Sequence, residues 1–119
     1  MAITIYHNPR CLKSRCGLEY LKGKGIEFEV RDYLKEPLTR QELERLLIKL
    51  HIAADQLVRT QEDYFKKELK GRNFNSDEWV SILIENPKLI QRPIVEGKHK
   101  AVIANPPEEM DRIQELKKP

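Results

Sequence analysis

The segment that most constrains this chain runs from Ile3 to Tyr33, where two alternating apolar stretches flank a helical one. Residues 2–6 alternate and predict a strand. Residues 12–24 carry Leu12, Cys16, Tyr20 and Leu21 at helical spacing and end at Gly23 and Gly25. Glu27 to Tyr33 alternates again, with Phe28 and Val30 on one face. Strand, helix and strand at this spacing predict a βαβ unit with parallel strands and a right-handed crossover. The join between first strand and helix is His7-Asn8-Pro9-Arg10-Cys11-Leu12-Lys13-Ser14-Arg15-Cys16. It therefore falls at the carboxyl end of a strand, where open α/β sheets bind ligands.

That join delivers Cys11 to the start of a helix. Unpaired N–H groups and the positive end of the dipole collect there, so a thiolate is favoured and the thiol pKa is expected to fall. His7, Arg10, Lys13 and Arg15 act in the same direction when cationic. A buried, inert cysteine would need neither the helix start nor the basic neighbours, so Cys11 reads as a nucleophile. Cys16 falls on the same pattern as Leu12 and Tyr20 and reads as a core thiol. In an ideal helix it stands about 140° round and about 7.5 Å along from Cys11. The resulting Cα separation of roughly 8–9 Å exceeds ordinary disulfide reach of about 7 Å. With two cysteines, no Cys-x-x-Cys and no His pair at ligand spacing, neither a structural disulfide nor a metal site is expected.

The remaining chain predicts a helical stretch and then a hairpin. Thr39 to Glu42 fits a capping box, followed by Leu43, Leu46, Leu47 and Leu50 at helical spacing. Ala54–Leu57 and Tyr64–Leu69 read as short helical pieces. Ser76 reads as the cap of a helix that carries Trp79, Ile82 and Leu83 inward and ends at Asn86-Pro87. Pro93 directly precedes an apolar strand, which suits a proline at the strand's start with a cis peptide. Ile94–Glu96 and Ala101–Ile103 form a hairpin over Gly97-Lys98-His99. Pro106 and Pro107 open a last helix, with Glu108 and Glu109 at its start and Lys117 and Lys118 at its end.

At 119 residues this is length for one domain, here 1–119 with a helical insertion over about 38–88. Charged residues make up 34% and hydrophobic ones 39%, a soluble balance, and no apolar run approaches a membrane span. No signal peptide is visible, so the cytoplasm is expected. The net charge of +3 comes from 22 basic and 19 acidic residues mixed along the chain. That excludes a nucleic-acid stripe and favours a small anionic ligand.

The pattern His7-Asn8-Pro9-x-Cys11-x-x-Ser14-Arg15 between strand and helix resembles the glutaredoxin-dependent arsenate reductase family, a branch of the thioredoxin-like fold. The resemblance extends over nearly the whole chain. It agrees with an α/β, thioredoxin-like order of βαβ unit, helical insertion and ββα around a mixed sheet. It implies that Cys11 thiolate attacks arsenate, that glutathione acts as cosubstrate and glutaredoxin as partner, and that arsenite leaves. No metal or bound cofactor is implied. His7 would support the Cys11 thiolate as an imidazolium. Ser14 would hydrogen-bond that thiolate or cap the helix. Arg59, in Leu57-Val58-Arg59-Thr60, and Arg92, in Arg92-Pro93-Ile94-Val95, match the family's oxyanion-binding arginines, whose planar forks suit a tetrahedral oxyanion.

One position departs. The family's third anion-binding arginine stands directly before the proline that opens the last helix, and this chain has Asn105 there. Asparagine donates a hydrogen bond without charge, a loss of about 1.5–3 kcal/mol, or roughly tenfold to a hundredfold in anion binding. Lys98, His99 and Lys100 on the hairpin offer replacement charge. Two other readings stand beside the reductase. One is a redox-sensing regulator from a sister branch that binds RNA polymerase, whose usual Cys-x-x-Cys switch has Ser14 in its second place here. The other is a general glutathione-dependent thiol reductase.

Overall fold

The computed structural model describes residues 3–117. Ala2, expected in the first strand, and Lys118, expected at the end of the last helix, lie outside them. The described chain divides into two compact units, one formed by the residues up to Glu36 and from Arg92 onward, the other by Pro37–Gln91.

The first unit is built on strand β1 (Ile3–His7), helix α1 (Leu12–Lys22), strand β2 (Phe28–Asp32), strand β3 (Ile94–Glu96) and strand β4 (Ala101–Ile103). The sheet order is β2-β1-β3-β4. β1 and β2 run parallel, from Ile3 opposite Phe28 to His7 opposite Asp32, as the βαβ spacing predicts. β3 is antiparallel to β1, with Thr4 opposite Glu96 and Tyr6 opposite Ile94, and β4 is antiparallel to β3. Alternation along β1 and β3 sends Ile3, Ile5 and Val95 into one core with Leu21, Val102, Met110, Ile113 and Leu116. On β2 the alternation has a different meaning: Phe28 packs partly on that core, while Val30 is half exposed on an edge strand.

α1 buries Ser14, Gly17 and Leu21, not the Leu12–Cys16–Tyr20 line. Cys16 is exposed and Leu12 is 67% exposed, which overturns the reading of Cys16 as a core thiol. The physical reason is proximity. A Cβ on Gly17 would lie 2.6 Å from Cγ of Pro93 and 3.7 Å from Cε of Met110. No side chain larger than glycine's fits at position 17 where the helix meets Pro93, so the helix turns the Ser14–Gly17–Leu21 face inward and leaves Leu12 and Cys16 outside. At its far end, Lys24 Nζ lies 2.5 Å from Asp111 Oδ1, and Tyr20 OH donates to Asp111 Oδ2 at 2.8 Å.

The last segment forms 3-10 turns at Pro107–Arg112 and Gln114–Leu116 in place of the expected helix. Met110, Ile113 and Leu116 are all buried. Met110 lies in the first turn and Leu116 in the second, and Ile113 between them has extended backbone at φ −83°, ψ 126°, which divides the segment in two. Arg92–Pro93 and Asn105–Pro106 are both cis, the first as expected.

The second unit contains helix α2 (Arg40–Leu50) and helix α3 (Ser76–Glu85), with a 3-10 turn at Ala54–Leu57 and a π turn at Phe65–Leu69. The Thr39–Glu42 capping box forms as predicted: Glu42 N–H donates to Thr39 Oγ1 at 3.1 Å and Thr39 N–H to Glu42 Oε1 at 2.9 Å. Asn75, rather than Ser76, caps α3. It forms a second box with Glu78, with both bonds at 2.8 Å. The two candidates are adjacent, and Asn75 lies three residues before Glu78, which is the spacing a box requires. Trp79, Val80 and Leu83 of α3 are buried.

Gly17→Ala tests the contact that orients α1. Alanine in a helix interior ordinarily gains about 1 kcal/mol over glycine, but here the methyl meets a rigid proline ring. A net loss of about 1–3 kcal/mol is expected in urea unfolding. A variant as stable as the wild type would refute the close packing.

Candidate active site

Three chain segments of the first unit converge beyond the carboxyl end of β1. The loop after β1 carries Cys11 to the N-cap of α1, with extended backbone at φ −98°, ψ 127°. Its shape is fixed by two buried polar residues, Asn8 and Ser14. Asn8 C=O accepts from Cys11 N–H at 3.0 Å, and its side-chain oxygen accepts from Arg10 N–H at 3.0 Å. Asn8 N–H donates to Ser14 Oγ at 3.3 Å, which fastens the loop to the first helical turn. Arg15 N–H to Cys11 C=O, at 3.0 Å, begins the helix.

The second segment is Arg92–Pro93, at the start of β3. The third is Ala104-Asn105-Pro106, joined to the second by a 2.8 Å bond from Ala104 N–H to Pro93 C=O. Register explains the convergence. Ile94 lies opposite both Tyr6 and Ile103, so the start of β3 and the end of β4 share the sheet end at which β1 delivers Cys11. The same register places Glu96 opposite Thr4, so the Gly97–Lys100 turn lies at the other end of the sheet. Lys98, His99 and Lys100 therefore cannot supply the charge that Asn105 lacks. Asn105 itself is exposed.

Burial pushes the Cys11 thiol up. The backbone N–H of Ser14, the Arg92 guanidinium and the backbone N–H of Lys13 act against it, and together they leave the thiol below its ordinary value of 9.0. The Cys11 side chain does not close a cap hydrogen bond in strict geometry. The two N–H groups and Arg92 nevertheless favour the thiolate from the helix side and the β3 side at once. Ser14 thus acts through its backbone N–H, while its hydroxyl oxygen serves the loop.

His7 behaves differently from its sequence reading. It is only 6% exposed, and its Nδ1 has no hydrogen-bond partner. Desolvation by burial lowers its pKa below the ordinary 6.5, against the raising effects of Asp32 and a Ser14 backbone bond. The shift favours the neutral ring, which works against the imidazolium support expected for Cys11. Arg10, Lys13 and Arg15 are exposed around the loop. Arg59 belongs to the second unit, where its guanidinium pairs with Glu62. Its N–H donates to Leu89 C=O at 2.6 Å beside a Val58–Ile90 bridge.

Sequence reasoning missed Gly17, which sets the distance between α1 and Pro93. A signal was present: Ser14, Gly17 and Leu21 share a helix face, and two of them are small. Among the described residues no cluster of three or more His, Cys, Asp or Glu side chains could hold a metal ion, and no helix is long and apolar enough to cross a membrane.

The contribution of Arg92 is measurable from the pH dependence of Cys11 alkylation in a Cys16→Ser background. The wild-type rate is expected to reach half its plateau below pH 9.0. Removal of a guanidinium that favours the anion raises the pKa, so Arg92→Ala shifts the midpoint upward and Arg92→Lys shifts it less. An unmoved midpoint in Arg92→Ala would show that the helix N–H groups act alone.

Comparison with known proteins agrees with this geometry. Residues 6–113 match the sequence model of the ArsC family. A protein named arsenate reductase from Neisseria meningitidis serogroup A is 35% identical over 113 residues, covering 93% of this chain and 97% of that protein. YfgD of Escherichia coli K12, a protein of uncharacterised function, is 41% identical over 113 residues, covering 93% and 95%. The solved structure of an arsenate reductase from Vibrio cholerae superposes with a TM-score of 0.89 at 36% identity, covering 95% of this chain and 98% of that one. A cysteine at the uncapped start of α1, faced by an arginine from the segment before β3, thus belongs to a thioredoxin-like chain that is a member of the ArsC family.

Proposed function

We propose that this protein reduces arsenate to arsenite, with Cys11 as the nucleophile. The observation that carries the proposal is the meeting of Cys11 and Arg92 at the start of α1, in a chain whose relatives are named arsenate reductases. Cys11 thiolate attacks arsenic, an As–O bond breaks, and the oxygen leaves as hydroxide and takes up a proton. The glutathione thiol then attacks the arsenic of the Cys11 adduct, a second As–O bond breaks, and that oxygen leaves as water with the thiol's proton. A glutaredoxin thiol attacks the glutathione sulfur, the two sulfurs leave as one mixed disulfide, and arsenic gains two electrons. Water then attacks the arsenic, the bond from arsenic to the Cys11 sulfur breaks, arsenite departs and Cys11 is regenerated as thiolate.

The chain's own residues contribute charge and position. The Ser14 and Lys13 N–H groups and Arg92 hold the nucleophile as thiolate and lie where negative charge develops on the oxyanion. Arg59 is the second anion-binding arginine in this reading, and substrate binding would draw it from its pair with Glu62. Asn105 adds a neutral donor at the sheet end that carries Cys11. His7, whose burial favours the neutral ring, stands at the end of β1 where the loop begins. The reaction consumes reduced thiols, and the reducing cytoplasm supplies them.

The test is arsenate-dependent NADPH oxidation coupled through glutaredoxin, glutathione and glutathione reductase. Turnover is expected in the wild type and absent in Cys11→Ser. Arg59→Ala is expected to raise KM for arsenate roughly tenfold to a hundredfold, the size of one lost charge-assisted contact. A folded wild type whose Cys11 alkylates fast at neutral pH but turns over no arsenate would reject arsenate as substrate. An unchanged KM in Arg59→Ala would remove Arg59 from the site.

A further inference from the structure

α1 carries a second apolar line, and the fold leaves it outside. Leu12 and Cys16 share helical spacing, yet Leu12 is exposed and so is Cys16. Tyr20, next on the line, is half-buried and donates to Asp111. The exposed part therefore lies in the first two turns and begins at the residue after Cys11. It stands on the side of α1 opposite the buried Ser14, Gly17 and Leu21. A single exposed leucine is common on any surface; this one is set apart by what surrounds it. Pro9 and Arg10 before it, and Lys13 and Arg15 after it, are all exposed. At about 100° per residue, Lys13 stands on one side of the Leu12–Cys16 line and Arg15 on the other. The first turn of α1 holds no acidic residue. The first acid along the helix is Glu19, and it pairs with Lys22 at 3.5 Å. An apolar stripe between cations thus adjoins the nucleophile.

We propose that this face docks the protein thiol that resolves the Cys11 adduct, a partner whose reactive cysteine is ringed by apolar and acidic side chains. The inference rests on the proposed reduction of arsenate, in which a glutaredoxin thiol attacks the glutathione sulfur held at Cys11. A small thiol enters such a site alone. A folded protein brings its sulfur to bonding distance only by laying its own surface on whatever surrounds Cys11. On one side of Cys11 stand buried Ser14 and the Arg92–Pro93 segment; on the other, Leu12 and the cations are open to solvent. The partner therefore covers Leu12, and burial of that side chain supplies affinity. Arg10, Lys13 and Arg15 set the sign of the partner's rim as negative and speed the encounter. A second copy of this chain would set the same cations against each other, so the face is not built for self-association.

The test uses the full chain in a Cys16→Ser background, with Cys11 converted to its mixed disulfide with glutathione. A glutaredoxin thiolate attacks the glutathione sulfur, the bond from that sulfur to Cys11 breaks, the glutaredoxin–glutathione disulfide forms, and Cys11 leaves as thiolate. No arsenate takes part, so the result is independent of the arsenate reading. The second-order rate constant with glutaredoxin is divided by that with dithiothreitol, a small thiol that needs no docking and reports any change at Cys11 itself. Leu12→Ser is expected to lower this ratio about tenfold, the scale of one buried leucine lost from an interface. Raising the salt from roughly 50 to 500 mM is expected to lower it several-fold, and Arg15→Gln to flatten that dependence. The salt measurement needs no variant and stands if Leu12→Ser folds poorly. A ratio indifferent to Leu12→Ser, or to salt, overturns the docking face. So does a Leu12-dependent rise of the wild-type mass above 14.1 kDa in sedimentation, which would give the face to a second copy. Arsenate turnover with an indifferent ratio defeats this inference alone. A Leu12-dependent ratio in a chain that turns over no arsenate upholds the docking face and defeats the arsenate reading.

Discussion

The approach of α1 to Pro93 is the constraint on which the functional end of this molecule depends. No Cβ fits between Gly17 and the proline ring. The helix therefore lies close against the segment that starts β3, and its N-terminus comes to rest beside Arg92. Cys11 and Arg92 are far apart in sequence, and nothing local to either would bring them together. Parallel pairing of β1 with β2 and antiparallel pairing with β3 set the ends of the strands, and the glycine sets the depth at which the helix sits on them. A loop held by Asn8 and Ser14 then needs only to bridge four residues from His7 to the helix.

Two effects of opposite sign meet at the sulfur. Taking a thiol partly out of water favours its neutral form, and here that is the largest single influence. Two backbone N–H groups and a guanidinium together exceed it. The same desolvation acts on His7 and wins there, because its opponents are weaker: one carboxylate and one backbone bond. Burial thus acts on both groups with opposite net outcomes, toward the neutral ring at His7 and toward the thiolate at Cys11. The positive charge that the site needs comes from an arginine, which burial cannot discharge in the way it discharges histidine.

The strands, the parallel pairing of β1 with β2, the β3–β4 hairpin and the Thr39 capping box were legible because alternation, turn and box spacing are local signals; the antiparallel pairing of β1 with β3 was not. The cysteine loop was legible for the same reason: a strand, a turn and a helix follow one another in sequence. What failed was each inference that needed a neighbour not yet in place. Leu12, Cys16 and Tyr20 have helical spacing, but the close approach of Pro93 to Gly17 goes with the Ser14–Gly17–Leu21 face being turned inward instead. The last segment is divided by the extended backbone of Ile113 into two 3-10 turns, and Met110, Ile113 and Leu116 are buried. The hairpin lysines carry charge at the wrong end of the sheet, a fact that lies in the β3 register and not in composition. His7 would be ambiguous in any sequence, since its charge depends on how deeply it is buried.

The three long helices show how the site differs from the scaffold. α2 and α3 close their N-termini with capping boxes and place Glu42, Asp77 and Glu78 in their first turns. In each, the N-cap N–H and one first-turn N–H are satisfied, and the dipole is met by carboxylates. α1 has neither: its N-cap makes no side-chain bond, and its first turn holds no acid. In a helix whose only task were structural, that would be an uncompensated loss of about 1 kcal/mol for the missing cap. Here the unspent N–H groups of Lys13 and Ser14 face the Cys11 sulfur. The helix that gives up its cap is the one whose start must accept negative charge, first on sulfur and then, in the proposed reaction, on the oxyanion.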